Sequence, residues 1–391
     1  MSGGPARGEL DRERRSAPVQ TPNLPARAEE EDEHGLELSR RNLITLCGFL
    51  FAAIAGLYFL LPQLAGLQDT WHRLENGSPW WLGLALVFTA GMFAGYVTQF
   101  RGVFGSARVR HRIGWRESYQ ITMSGLAASR LFAAGGAGGL VLTAWALRRA
   151  GMARRRVADT TVSFLILTYL PYDVAVIVCG IGLRTGVLSG DAPVAFTIVA
   201  AGIAGLLLAL AAAVALIPTD LQRRLEGFAH RRGRFGRIAQ KLAHVPASAS
   251  AGMREALEHV RSRDPALLGA ILFWGFQIAV LWASFRAFGA SPPGGVLVQA
   301  FFIGMLGNLL PMPGGVGGVE GGMIGALVAF DVDPGLAVVA VLAYRAFTFW
   351  LPLVPGVIAY FQLRRTAERW RGTIQSEVTD PAKGASAVHG T

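Results

Sequence analysis

Charge is what this sequence has least of. Only 16% of its 391 residues are Asp, Glu, Lys or Arg, and 52% are hydrophobic, whereas a soluble chain carries about a quarter charged residues. An ordinary soluble fold is therefore excluded. The charges that remain sit in short blocks, separated by apolar runs long enough to cross a bilayer, which takes about 20 residues. Lysine is nearly missing: Lys241 and Lys383 are two among 37 basic residues, a mark of genomic base composition rather than of chemistry. Cys47 and Cys179 are the only cysteines, both inside apolar runs, which leaves no disulfide framework and no Cys-rich metal site. The seven histidines fall in tails and loops, and there is no HExxH, no GxSxG elbow and no GxxxxGK[ST] loop. These absences argue against a hydrolase, a metal enzyme or an ATP-driven pump acting alone. No cofactor or metal is expected. The net charge of +11 then reads as arginine-rich cytoplasmic loops rather than a nucleic-acid surface.

What the sequence does hold is a series of apolar segments. Six read as spanning helices: Leu43 to Pro62, Pro79 to Phe100, Val157 to Leu183, Val194 to Pro218, Pro265 to Phe288 and Leu336 to Leu363. Two more, Tyr119 to Leu147 and Val296 to Phe330, are interrupted by glycine clusters. Residues 1–39, with the acidic run Glu29 to Glu33, read as a disordered cytoplasmic tail, and residues 366–391 as another. Neither holds the apolar core of a signal peptide.

Loop charge orients the spans. Arg40 and Arg41 put the N-terminus inside, and the loop holding Asp69, Arg73 and Glu75 suits the outside. Tyr119 to Leu147 has Arg101, Arg108, Arg110, Arg112 and Arg116 before it, and Arg148, Arg149, Arg154, Arg155 and Arg156 after it. With both flanks cytoplasmic, the segment must turn back at Ala133 to Gly139. It reads as a re-entrant hairpin. The loop 219–264 has ten Lys or Arg against five acids and is again cytoplasmic, either an interfacial amphipathic helix or a solvated connector. Val296 to Phe330 carries no Lys or Arg and is followed by Asp331 and Asp333, so its flanks suit the outside. Both termini are then cytoplasmic. A plain eight-helix count, by contrast, would translocate one basic loop.

The glycine clusters overlay without a gap, AGGAGG (Ala134 to Gly139) on PGGVGG (Pro313 to Gly318), and the following span has a mid-helix proline in each case, Pro171 and Pro352. Repeat one covers about 79–183 and repeat two about 265–363, within a membrane domain at 40–365. The hairpins enter from opposite faces. The expected fold is thus all-α, with six transmembrane helices and two glycine-rich re-entrant hairpins in an inverted-topology repeat. Such repeats point to a transporter with a midplane site, because non-helical backbone at that depth must be buried in protein or line a wet cavity. The plainer reading of paired glycines is close helix packing.

Arg130, Asp173, Glu320 and Arg345 fall at membrane depth, where each costs about 2.5–3.5 kcal/mol unless paired or wet. Glu320 can pair with Arg130 or Arg345, leaving the other cation for a phosphate. A closed ion-pair set that only locks helices together is the alternative. The candidate substrate-binding residues are Arg130, Gly135, Gly136, Gly138, Asn308, Pro313, Gly314, Gly315, Gly317, Glu320, Tyr344 and Arg345. Tyr169 and Tyr172 are further polar groups that could line a cavity.

LLPMPGGVGGVEGG (Leu309 to Gly322) and AYRAFTFWLPLVPG (Ala343 to Gly356) resemble the lysylphosphatidylglycerol synthase transmembrane family, the membrane half of the multiple peptide resistance factors and related flippase-like proteins. AAGGAGG with the following LRRAG is similar to the family's upstream segment. By this resemblance Pro311, Pro313, Gly314, Gly315, Gly317, Glu320 and Arg345 match motif positions; Phe132 and Ala134 stand where repeat one would have the prolines. The resemblance implies a flippase or transporter for phospholipid or another anionic lipid, such as aminoacylated phosphatidylglycerol, in the bacterial plasma membrane. Aminoacylation would belong to a soluble domain for which Arg364 to Thr391 is too short. The alternative is a membrane enzyme, or a membrane subunit of one, acting on a lipid head group or polyprenyl-linked sugar. Expected partners are membrane phospholipids, a separate lipid-modifying enzyme and a second copy of the chain, with no nucleic acid. On a background without Cys47 and Cys179, single cysteines replacing Arg108 and Arg154 should both be labelled only from the cytoplasmic side; opposite accessibility would remove the first hairpin.

Overall fold

The computed structural model describes residues 77–105, 112–131, 137–190, 193–215, 250–262, 264–309 and 315–379. The first expected span (Leu43 to Pro62), both glycine-cluster tips, most of the basic loop and the tail 1–39 lie outside them. The described residues are helical, with no strand among them. In chain order the helices are α1 (Pro79–Phe104), α2 (Trp115–Leu131), α3 (Ala137–Arg149), α4 (Arg154–Arg184), α5 (Ala200–Ala215, entered through a π-helical turn Ala195–Val199) and α6 (250–261). They continue with α7 (Pro265–Ala287), α8 (Gly294–Met305, ending in a 3-10 turn Leu306–Leu309), α9 (Gly318–Ala329), α10 (Pro334–Arg345), a π-helical turn (Ala346–Trp350) and α11 (Leu353–Thr379).

Length sorts these into two kinds. Five stretches are long and apolar enough to cross a membrane: α1, α4, Ala195–Ala213, α7 and Pro334–Thr373. By contrast α2, α3 and α9 have 17, 13 and 12 residues, or about 26, 20 and 18 Å at 1.5 Å per residue. Each falls short of a hydrocarbon layer of about 30 Å. They pair instead, α2 on α3 and α8 on α9. Arg112, just before α2, donates to the Ala150 carbonyl just after α3 at 3.4 Å, so the two ends of the first pair meet. Within it, Gly125 and Gly139 face one another so closely that a Cβ on Gly139 would run into the Gly125 carbonyl. Gly304 and Gly322 bring α8 and α9 together in the same way, with a Cβ at Gly322 only 3.4 Å from the Gly304 Cα.

The longest crossing, α1 against α7, also runs on glycine. Gly91 lies against Phe276, Gly95 against Gly269 and Gly102 against Ala266, so numbers rise on one helix as they fall on the other, and the two are antiparallel. The Ser78 amide donates to the Ala287 carbonyl at the far end. Each short pair is gripped by a long helix distant from it in sequence. α2 packs on α11, from Gln120 beside Thr366 to Ala127 beside Gly356. α8 packs on α4, from Gly295 beside Leu183 to Phe302 beneath Tyr172. α2 reads as a polar helix because it is buried in protein: Ser118, Gln120, Thr122 and Ser124 are all inaccessible.

Two boundaries differ from the sequence reading. The chain after Arg365 is not a tail from residue 366; α11 continues to Thr379. Its stripe Leu363, Ala367 and Trp370, spaced four and three apart, is buried against the α2–α3 end of the core, and burial of a helical stripe sustains a helix that composition alone does not. Part of the basic loop, 250–261, is likewise helical, held by Arg156 on Glu255 at 2.7 Å.

A Cβ at Gly269 would lie 2.5 Å from the Gln99 amide nitrogen and 2.6 Å from the Gly95 carbonyl oxygen. Backbone cannot yield as a side chain can. Gly269→Ala should cost about 1–3 kcal/mol and lower the melting temperature in detergent, whereas Gly275→Ala, facing open space, should leave it within a degree or two.

Candidate functional site

A proline inside a membrane helix creates a debt of hydrogen bonds. Pro352 has no N–H, so the Thr348 carbonyl, four residues earlier, loses its helical donor. The turn around it widens to π-helix over Ala346–Trp350, where the Leu351 amide reaches back to the Ala346 carbonyl. A stranded carbonyl at this depth costs several kcal/mol. Arg130 supplies what is missing. From the last turn of α2 it donates Nη2 to the Thr348 carbonyl at 2.7 Å and Nη1 to the Phe349 carbonyl at 2.8 Å.

Arg345 stands at the start of the same break. Its Nε donates to Glu320 Oε1 at 2.7 Å, and both side chains are almost fully buried, 6% and 1% exposed. The other carboxylate oxygen, Oε2, accepts the Gly317 amide at 2.8 Å. Glu320 thus caps the first turn of its own helix, where the dipole favours an anion. Gly317 permits this with a φ of 85°, and Gly315 before it has a φ of 66°, a region that L side chains rarely enter. The two guanidiniums share one aromatic ring: Arg345 Cζ is 4.2 Å and Arg130 Cζ 4.9 Å from the centroid of Phe349. Such stacking suits arginine, whose planar cation is weakly hydrated. Beside them the buried Tyr344 hydroxyl donates to Gln277 Oε1 at 3.0 Å, and Thr348 Oγ1 to the Tyr344 carbonyl.

The sequence-derived set therefore divides. Arg130, Glu320, Arg345, Tyr344 and Gly317 converge on residues 344–349. Of the two pairings open to Glu320, the one formed is with Arg345. Asn308 is exposed on the 3-10 turn and bonds to the Met305 carbonyl; its amide lies against Gly315. Gly138 opens α3 and is half-buried. Gly135, Gly136, Pro313 and Gly314 lie outside the described residues. Tyr172 donates to the Phe302 carbonyl, stacked with Trp274, and Asp173 takes no part in the Glu320–Arg345 pair.

Sequence reading passed over Thr348, Phe349 and Gln277. The signal for the first was present, since a mid-span proline always strands the carbonyl four residues before it. Around the earlier mid-span proline, Pro171, the carbonyl four residues back is that of Leu167; the neighbouring Thr168 receives Gln99 Nε2 on its Oγ1 at 2.7 Å and Trp274 Nε1 on its carbonyl at 2.6 Å. The charges do not repeat. Continuing the overlay of the glycine clusters sets Val141 opposite Glu320 and Ile166 opposite Arg345. Two cations against one carboxylate give the cluster a net positive charge, suited to a phosphate or another anion.

Comparisons with known proteins agree with the membrane reading. The family profile for the lysylphosphatidylglycerol synthase TM region matches residues 45–356. A protein described as a UPF0104 membrane protein, from Methanothermobacter thermautotrophicus, is 23% identical over 321 residues, which cover 79% of this chain and 91% of that one. A second match to a UPF0104 membrane protein of the same organism is 31% identical over 91 residues, 23% of this chain and 27% of the other.

Removing one partner of a buried ion pair leaves the other uncompensated, at a cost of about 3–5 kcal/mol. Glu320→Gln alone should therefore lower thermal stability in detergent clearly, and adding Arg345→Met should restore much of it. If the double variant is no more stable than the single one, the two residues are not coupled as the geometry implies.

Proposed function

Because this chain belongs to the lysylphosphatidylglycerol synthase transmembrane family, we propose that it moves phospholipid or another anionic lipid, aminoacylated phosphatidylglycerol among them, between leaflets. The path in this reading is a midplane cavity between the two short-helix pairs, and the phosphate is held by the cationic cluster around Phe349. One observation carries it. Arg130 from the first pair and Glu320 from the second converge on the same broken turn of the last span, so a ligand held there is in reach of both halves.

The finer architecture is part of the proposal. Six spans, two re-entrant hairpins and an inverted repeat account for α1 and α7 running antiparallel and for each short pair being gripped by the opposite half. The joined ends of the first pair, through Arg112 and Ala150, support its entry and return on the arginine-rich side. That side is the cytoplasm of a bacterial cell by the positive-inside rule, with both termini there, residues 1–39 and the last residues forming tails and 40–365 the membrane domain. The protein acts in this reading as a transporter, in contact with membrane phospholipids, and not as an enzyme.

The test is purified full-length protein in liposomes with lipids reportable by leaflet. Wild type should equilibrate a labelled phosphatidylglycerol faster than protein-free liposomes. Arg130→Gln and Glu320→Gln should slow this at least tenfold. Arg130→Lys should rescue little, because an ammonium lacks the planar fork that spans two carbonyls while laying its face on a ring. No movement above protein-free liposomes, or variants as fast as wild type, would sink the proposal.

A further inference from the structure

A second polar site lies at the opposite end of the bundle from the arginine-rich loops. The connection leaving α4 folds back on its own helix: the Leu188 amide donates to the Gly182 carbonyl at 3.0 Å, and Leu188 packs on Gly182 and on Gly295 at the start of α8. Gly190, with a φ of 130°, lets the loop pass so close to Val296 that a Cβ there would lie 2.7 Å from its methyl. The loop is thus seated on the base of the α8–α9 pair. Between it and the end of α9 is an open cleft of about 670 Å³, whose walls include Arg184, Leu188, Ser189 and Asp331. That volume falls in the range of small-molecule sites.

Its charge is the informative part. Arg184 and Asp331 are both exposed and line one cleft, and no ion pair joins them among the described residues. Arg184 comes from the end of α4, and Asp331 from the turn after α9, where it sits in the left-handed region at a φ of 60°. A cation and an anion facing one wet space, without closing on each other, complement a ligand that carries both signs on a short linker. The leucine and glycine walls leave room for its uncharged stem.

We infer that this cleft is a binding site for a zwitterionic phospholipid head group, its phosphate toward Arg184 and Ser189 and its ammonium toward Asp331. The site is separate from the Arg130–Glu320–Arg345 cluster and stands or falls without it. A phosphate and an ammonium on one linker also occur in the free head group, so the chemistry is shared by two sources.

Binding to the purified full chain in detergent, followed by titration calorimetry, separates the possibilities. The probes are short-chain phosphatidylethanolamine, short-chain phosphatidylglycerol and glycerophosphoethanolamine. The phosphatidylethanolamine should bind about fivefold more tightly than the phosphatidylglycerol, since one surface charge is worth that order of affinity. Asp331→Asn, which keeps a residue tolerant of the left-handed region, should abolish the preference. Arg184→Gln should weaken both lipids. The exchange Arg184→Asp with Asp331→Arg should bring the preference back. Tighter binding of the lipid than of glycerophosphoethanolamine assigns the site to membrane lipid, and equal binding to the free head group. Glu320→Gln should leave the preference unchanged even where it stops transport, so the two readings fail separately. An unchanged preference in Asp331→Asn, or no preference in wild type, overturns the inference.

Discussion

In a bilayer every backbone donor and acceptor must find a partner inside the protein, and this structure is organised around one that cannot find it locally. Pro352 deprives the Thr348 carbonyl of its helical bond, and the π-helical turn loosens the carbonyls beside it. The partner is brought from more than 200 residues away in sequence: Arg130, whose two donors are separated from their acceptors by 218 and 219 positions. A guanidinium at that depth is itself costly. The two costs cancel only because the α2 terminus and the broken turn are held together, and that requires α2 to lie along α11. The packing of the first short pair on the last span thus follows from one missing N–H.

The same requirement explains why the fold uses glycine so heavily. Helices too short to cross must be covered by protein along their whole length, and covering is effective only at close approach. Gly125 on Gly139, Gly304 on Gly322 and Gly95 on Gly269 remove the side chains that would hold the axes apart. In lipid such contact gains no hydrophobic drive; van der Waals packing and satisfied polar groups supply it. Thr122 and Ser124 on α2, whose buried hydroxyls donate to the Ser118 and Gln120 carbonyls, are the complement, since polar side chains at this depth need a partner within the protein.

This division also explains what could be read in advance. Five of the expected spans coincide with helices long enough to cross, because a run of apolar residues over about 20 positions has few other fates. The intramembrane charges announced themselves by their cost, and Glu320 and Arg345 are indeed partners. Which cation Glu320 takes was not legible, since that depends on where α10 ends relative to α9, a matter of packing. Phe349 was hidden for another reason: an aromatic residue in an apolar run carries no mark that two guanidiniums will stack on it. The helix beyond Arg365 was missed because its polar composition masked a stripe, Leu363, Ala367 and Trp370, whose value depends on a surface elsewhere in the chain.

The two mid-span prolines, Pro171 and Pro352, have different surroundings, and only the second is met with charge. Thr348 lies four residues before Pro352 and its carbonyl takes Arg130, whereas the carbonyl that takes Trp274 is that of Thr168, three residues before Pro171. An indole donor satisfies a carbonyl as well as a guanidinium does, and without importing charge. The break before Pro352 instead holds two arginines against one carboxylate, where the overlay of the first glycine cluster has only Val141 and Ile166 opposite Glu320 and Arg345. In the reading proposed above the cost of those charges serves the ligand, since an excess positive charge beside a broken helix favours an anion over any neutral solute.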